Sequence, residues 1–330
     1  MTALANFATC ALHRLPAEMA HRIAVSALAA GLGPRAATDP SALSVKLWGL
    51  TFPNPIGIAA GFDKDAEAYA GLLRAGAGFV EVGTVTPHPQ GGNPRPRLFR
   101  LPADGAVINR MGFNNRGMAT TAQRLARRDR SAGIVGVNIG RNKDGDDSDY
   151  KTCFKTMAPL ADYITVNVSS PNTLGLRQLQ GRDALSALIE SLQEARTRLG
   201  LTLPLLVKIA SDLTHEQRQD IADVALSSDL DGLVISNTTI ARADTLQSRA
   251  RSEKGGLSGR PLMAPSTALL AEMHQLTEAK LPLIGTGGIA SAADARAKIA
   301  AGATLVQLYT ALTYRGPRLI REIKRGLATA

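Results

Sequence analysis

The chain has 330 residues, 45% hydrophobic and 20% charged, with only 4% aromatic, a balance that excludes a disordered, collagenous or multi-span membrane protein. Lys and Arg outnumber Asp and Glu by 38 to 28, giving a formal charge of +10 and a pI near 9.9, so the surface suits phosphate esters, carboxylates, acidic lipid headgroups or nucleic acid. Cys10 and Cys153 are far apart and in no ligand spacing, which leaves no disulfide framework or zinc site and points to a reducing compartment.

Residues 1–38 read as a helical hairpin. Leu4, Phe7, Ala8, Ala11, Leu12 and Leu15 fall at helical spacing, and Pro16 opens a second helix carrying Met19, Ile23, Ala27 and Leu28 before Gly31 and Pro34 end it. Arg14, Arg22 and Arg35 against Glu18 leave a net +2. The apolar stripe can pack on the main domain or rest on an acidic membrane surface. The apolar run 24–32 is shorter than the roughly 20 residues of a bilayer span, and no charged leader precedes it. The expectation is a protein neither secreted nor transmembrane.

From residue 39 to 330 a second domain follows, in which short β-rich segments alternate with helices. Strands are expected at 56–59, 79–82, 134–138, 163–168, 205–209, 232–236, 283–286 and 305–309. Between them, Asp63 caps a helix ending at Gly76, Asp183 begins one that ends at Gly200, and Thr214 with Gln217 forms a capping box. Eight strand–helix repeats fit an α/β (β/α)8 (TIM) barrel better than an open doubly wound sheet. Outside the barrel, 45–50, 98–101 and 106–108 read as short antiparallel strands, and the polar loops 141–149 and 242–256 as mobile, either functional lids or poorly ordered segments.

A barrel of this kind places its active site at the C-terminal strand ends. Ala60, Gly61, Phe62, Asp63 and Lys64 follow the first strand and Gly83 and Thr84 the second. The third ends at Asn138, and the fourth in Asn167-Val168-Ser169-Ser170-Pro171-Asn172. Lys208 sits on the fifth, and the sixth leads into Ser236, Asn237 and Thr238. Buried amides and lysines are costly unless paired, so their convergence implies a ligand. Gly285-Thr286-Gly287-Gly288 after the seventh strand, with Tyr309-Thr310 after the eighth, suits a phosphate group, and 255–259 can add backbone donors. The basic residues Arg124, Arg127, Arg128 and Arg130 read as one exposed helix end without aromatic interleaving, so nucleic acid is not an expected partner.

These residues resemble a known family. Asn109-Arg110-Met111-Gly112-Phe113-Asn114-Asn115, Asn167 to Thr173, Gly255 to Pro261, Gly287-Gly288-Ile289 and Leu308-Tyr309-Thr310 are similar, in order and over essentially the whole chain, to dihydroorotate dehydrogenase. A serine at 170, where soluble relatives carry cysteine, and the N-terminal hairpin are similar to its quinone-dependent, membrane-associated class 2. The resemblance implies FMN, one per chain, held by Ala60, Gly61, Phe62, Asp63, Lys64, Thr84, Asn138, Asn167, Lys208, Ser236, Gly259, Gly288, Tyr309 and Thr310. It implies substrate contacts from Lys64, Asn109, Arg110, Met111, Gly112, Phe113, Asn167, Asn172, Asn237 and Thr238.

In the mechanism so implied, Ser170 is the catalytic base, removing a proton from C5 of dihydroorotate as a hydride leaves C6 for the flavin. Thr173 with an ordered water beside Phe113 forms the proton relay, because a serine hydroxyl is a poor base unless its own proton moves on. Lys208 stabilises negative charge on the reduced ring. No metal is required. A quinone enters between the N-terminal helices and meets His21, Arg100 and Tyr309. The expected partners are dihydroorotate or orotate, a membrane quinone and a lipid surface, the expected state is a monomer, and the expected place is the cytoplasmic face of the inner membrane if the source is bacterial. A soluble enzyme using fumarate or NAD is the nearest alternative, and a non-redox phosphate-binding barrel enzyme the next.

Overall fold

The computed structural model describes residues 11–172 and 175–329. Leu4, Phe7, Ala8, Cys10 and Thr173 lie outside the described residues, as does most of the first helix of the expected hairpin. Described in full are the second helix, Ala17–Ala29, and a hairpin of β1 (Val45–Leu47) and β2 (Leu50–Phe52). There follow β3 (Ile56–Ile58), β4 (Phe79–Val85), β5 (Leu98–Leu101), β6 (Ala106–Asn109), β7 (Ile134–Ile139), β8 (Tyr163–Asn167) and β9 (Leu205–Lys208). The remainder are β10 (Gly232–Ile235), β11 (Gly256–Gly259), β12 (Leu283–Thr286) and β13 (Ala303–Leu308).

Eight of these close into a parallel barrel in the order β3, β4, β7, β8, β9, β10, β12, β13 and back to β3. Each was visible as an apolar segment; the pairing extends β4 three residues beyond its expected end, to Val85. Side chains alternate across each strand. Val80, Val82, Val137, Ile164 and Val207 join the large cluster beneath the surrounding helices, while Phe79, Tyr163, Leu206, Val234, Ile284 and Leu305 form a separate interior floor with Phe52. Two glycines make room for the floor's rings: a Cβ on Gly57 would lie 2.2 Å from the Phe79 ring, and one on Gly136 2.0 Å from Tyr163.

The segment expected as one strand at 45–50 is a hairpin, turned at Trp48 (φ 54°) and Gly49 (φ 74°), as a two-residue turn between twisted strands requires. Val45, Leu47, Trp48 and Leu50 cover the barrel floor. At the opposite end β5, β6 and β11 form an antiparallel rim. β11 lies in the glycine-rich segment read as a donor loop; its partner β6 is about 150 residues away, beyond the reach of local pattern.

Other expectations change as well. The loop 242–256 is tied down rather than a free lid. Asp104 accepts from the amides of Gln247 (2.9 Å) and Ser248 (3.0 Å), and Arg242 donates to the Gly255 carbonyl at 2.7 Å. In the loop before helix Ser148–Met157, Asn142 is bound to His88 O and Gln90 Oε1, both at 2.9 Å. Arg128 is not exposed: its guanidinium is buried in a bidentate pair with Asp162, at 2.6 and 2.9 Å. Asp63 caps the turn before helix Tyr69–Arg74, accepting from the amides of Glu67 and Ala68 at 2.7 Å each. The Thr214–Gln217 capping box is present as expected.

Helix Ala17–Ala29 divides its apolar residues between two faces. Ala20 and Leu28 are buried, and the crossing with helix Tyr69–Arg74 is so close that a Cβ on Gly71 would meet Leu28 O at 2.4 Å. Met19 and Ile23 face outward, 51% and 44% exposed. Packing on the barrel therefore accounts for only one side of the stripe. Among the described residues no helix is long and apolar enough to cross a membrane.

Candidate active site

The C-terminal strand ends surround a cavity of about 350 Å³. Below it, the inward positions of neighbouring strands form one polar network. Glu81 on β4 is fully buried and accepts from Asn138 Nδ2 (2.8 Å), Gln307 Nε2 (2.8 Å), Thr165 Oγ1 (3.1 Å) and the Tyr163 hydroxyl (3.2 Å). With its amide so oriented, Asn138 presents Oδ1 upward, to Thr84 Oγ1 at 2.6 Å and Asn167 Nδ2 at 3.1 Å. Asn167 Oδ1 in turn accepts from Ser169 Oγ (3.1 Å), and Asn237 Nδ2 donates to Ser169 Oγ at 3.0 Å. Asn138, Asn167 and Asn237 each have both amide oxygen and nitrogen partnered, so their donor and acceptor pattern is set before any ligand arrives.

Ser170 is buried at the edge of this network, and its Oγ accepts from the Asn172 amide at 3.3 Å. Asn172 Nδ2 reaches Asn109 Oδ1 at 3.3 Å, joining the fourth strand's loop to the rim sheet. The segment that follows Asn109 is stapled by Asn93, which donates to Arg110 O at 3.0 Å, and by Gln90, which donates to Gly112 O at 3.1 Å and Phe113 O at 3.2 Å. Asn109, Met111, Gly112 and Phe113 line the cavity beside Asn167, Ser170, Asn172, Asn237 and Thr238.

Two lysines supply positive charge at the cavity, Lys64 from the loop after β3 and Lys208 from β9 on the far side of the barrel mouth. Lys64 donates to Gly61 O at 2.6 Å; burial pulls its ammonium down to about 8, while Asp65 and Glu18 draw it up. Lys208 is held below the usual lysine range by burial, against the pull of Glu81. Both line the cavity. Between them round the closed barrel, at the ends of β12 and β13, lies the glycine corner, where Gly287, Gly288 and Thr310 line the cavity with Gly259 of β11. Gly288 adopts φ +81° against helix Met263–Leu276, whose Met263 backbone would lie 2.4 Å from an added Cβ. Ala60, Thr84, Ser236 and Tyr309 complete the lining, and burial raises the Tyr309 hydroxyl to about 12.

Not every residue singled out in the sequence reaches this cavity. Arg110 turns away to pair with Glu253 at 2.7 Å and stack 4.6 Å over Phe99. Asn138 lies one layer below, and Asp63 serves the backbone of its own turn. Phe62 stands behind the lining, edge-on to Tyr309 at 5.9 Å and to His21 at 5.3 Å. His21 meets Phe62 O at 2.7 Å, and burial, helped by Lys64, lowers it to about 3, so it is neutral near pH 7. Arg100 donates to the carbonyls of His13 and Leu15, both at 2.9 Å, fastening the N-terminal segment.

Sequence reading missed Glu81 and Gln307. Both interrupt apolar strands at inward positions, a pattern shared with any strand that turns one face to water. Two buried atoms on the cavity wall, Gln307 Oε1 and Thr238 Oγ1, find no hydrogen-bond partner within the described chain. Such groups are costly unless a ligand satisfies them. Among the described residues no group of three or more His, Cys, Asp or Glu could hold a metal ion.

The sequence and fold have close counterparts. A curated dihydroorotate dehydrogenase (quinone) of Parvibaculum lavamentivorans is 56% identical over 94% of this chain and 89% of its own length. That of Rhodospirillum rubrum is 54% identical over 95% and 87%. Among solved structures, DHODH of Eimeria tenella in complex with ferulenol superposes with a TM-score of 0.91 at 44% identity, over 94% of this chain and 90% of that one. The family model for dihydroorotate dehydrogenase matches residues 42–330, and with relatives of this similarity along nearly its full length, the chain belongs to the dihydroorotate dehydrogenase family.

Proposed function

We propose that the protein oxidises dihydroorotate to orotate in pyrimidine biosynthesis, with FMN as the resident hydride acceptor and a membrane quinone as the final one. The observation that carries this reading is the convergence, around one cavity, of the strand-end amides, Lys64 and the glycine corner. The unpartnered Gln307 Oε1 and the Gly288 cradle fit a planar, phosphorylated cofactor with ring N–H donors. Ala60, Gly61, Thr84, Asn167, Lys208, Ser236, Gly259, Gly288, Tyr309 and Thr310 would hold it, with Asn138 acting from the layer beneath. Bound there, FMN supplies a two-electron acceptor.

Lys64 holds the substrate carboxylate, while Asn109, Asn167, Asn172 and Asn237 meet the ring amides with matched donors and acceptors. Ser170 Oγ takes the C5 proton as the C6 hydride departs. Its own proton must then leave, and the relay read from the sequence is Thr173, which lies outside the described residues, with an ordered water beside Phe113. Lys208 faces the charge that develops on reduction.

For reoxidation, residues 1–38 act as the membrane-associating unit and residues 39–330 as the catalytic barrel. The outward Met19 and Ile23 supply an apolar face for lipid, and the ring series His21, Phe62, Tyr309 leads from that helix to the cavity wall. Arg100, read with His21 and Tyr309 as a polar group at the inner end of the quinone path, also anchors the segment through the carbonyls of His13 and Leu15. The acceptor assay tests this: a soluble ubiquinone or menaquinone analogue sustains turnover with dihydroorotate, and fumarate and NAD do not. Turnover with fumarate or NAD equal to that with quinone overturns the assignment.

A further inference from the structure

Lys298 is a buried cation that the proposed reaction does not use. It projects from helix Ala292–Ala300 and is fully buried. Its Nζ donates to Ser266 Oγ at 2.6 Å, and it makes no salt bridge among the described residues. Asp294, on the same helix, is committed to the helix start, accepting from the Ala290 amide and the Ser291 hydroxyl at 2.9 Å each. An ammonium in this position is costly without a nearby negative charge. Burial draws it down to about 7, with Asp294 pulling the other way.

Ser266 connects this cation to the glycine corner. Its Oγ lies 2.5 Å from Leu262 O and 3.1 Å from Gly287 O, and both Leu262 and Gly287 line the cavity. Because Lys298 donates to the hydroxyl oxygen, the one hydroxyl proton is left to be shared among the Leu262, Met263 and Gly287 carbonyls. The fit is tight: a Cβ on Gly287 would lie 2.9 Å from Ser266 Oγ. The loop thus rests on Ser266, and the ammonium stands directly behind it.

We propose that Lys298 is a positioning residue for the phosphate of the flavin nucleotide: it fixes the Gly287–Gly288 loop through Ser266 and places a positive charge behind the anion. This rests on the FMN reading above. The cation contributes through a low-dielectric wall rather than by contact, so it favours a phosphorylated flavin and is indifferent to the same ring without phosphate.

The test is flavin affinity, read by fluorescence as the holoenzyme releases and rebinds flavin, for FMN and for riboflavin in parallel. Wild type should prefer FMN strongly. Lys298→Met, which keeps the apolar volume, should weaken FMN about ten-fold or more and riboflavin less than two-fold, with Lys298→Arg restoring part of the preference. Equal losses for both flavins would mark a purely structural lysine and overturn the proposal, as would unchanged FMN affinity. Should Lys298→Met not fold, Ser266→Ala carries the same test, with a selective loss of FMN supporting the proposal and none overturning it. A wild type without preference for FMN would instead overturn the underlying cofactor reading.

Discussion

Lys64 and Lys208 both line the cavity, and burial depresses both, yet their surroundings differ. Lys64, at about 8, is mostly protonated at neutral pH and can pair with a carboxylate; above that it loses its charge. Dihydroorotate affinity should therefore be full below about pH 8 and fall as the pH rises through it, seen as a KM at pH 9.5 several-fold above that at pH 7. A flat KM over that range would remove Lys64 as the carboxylate partner. Ser170 makes a separate prediction. Ser170→Ala should keep its flavin but reduce it roughly 10²–10⁴ times more slowly in stopped flow, the usual worth of a positioned proton acceptor; a near-normal rate would clear Ser170 of that role. At this scale the strand-end residues Asn138, Asn167, Ser170 and Lys208 were legible, because a barrel directs strand ends to one place. Glu81 was not, since its partners stand 57 to 226 positions away along the chain and only closure of the barrel brings them together.

Among the elements, those governed by local chemistry were legible. Thr214 and Gln217 announce their capping box within four residues, and the β-rich runs announce the eight strands. What depended on distant pairing was not: β11 belongs to the rim only through β6, and the loop 242–256 is ordered by Asp104, more than 140 residues upstream. The helix Ala17–Ala29 shows both kinds of information at once. Its spacing revealed an apolar stripe, but only its seat on Gly71 shows that Leu28 faces the barrel while Met19 and Ile23 do not. Glu18 on the same helix strengthens the seat: burial alone would raise its carboxyl, but Arg97 and Arg95 hold it down to about 2. Removing the whole segment would strand the buried Arg97, so a point change on the outward face is the cleaner probe. Ile23→Asp should leave anaerobic flavin reduction by dihydroorotate intact while lowering vesicle binding and turnover with a long-chain quinone at least several-fold. Unchanged quinone turnover would remove that face from the pathway.

For the molecule as a whole, the excess positive charge resolves into several uses. Arg97 ties the N-terminal helix to the barrel and Arg128 is locked against Asp162 inside it. Lys64 and Lys208 face the cavity, and Lys298 stands behind its glycine corner. Arg97 and Arg128 are neutralised by their carboxylate partners, so of these cations only the three lysines count toward the excess. The two ends of the barrel are equally specialised. The floor is apolar, closed by Phe52 and the β1–β2 hairpin, and the amides and lysines converge at the opposite end. The account stands or falls on one measurement: the visible spectrum of the purified protein before and after dihydroorotate is added without oxygen. It predicts a bound flavin whose absorbance bleaches on addition and returns when quinone follows; a protein without flavin, or a flavin that dihydroorotate leaves oxidised, would contradict it.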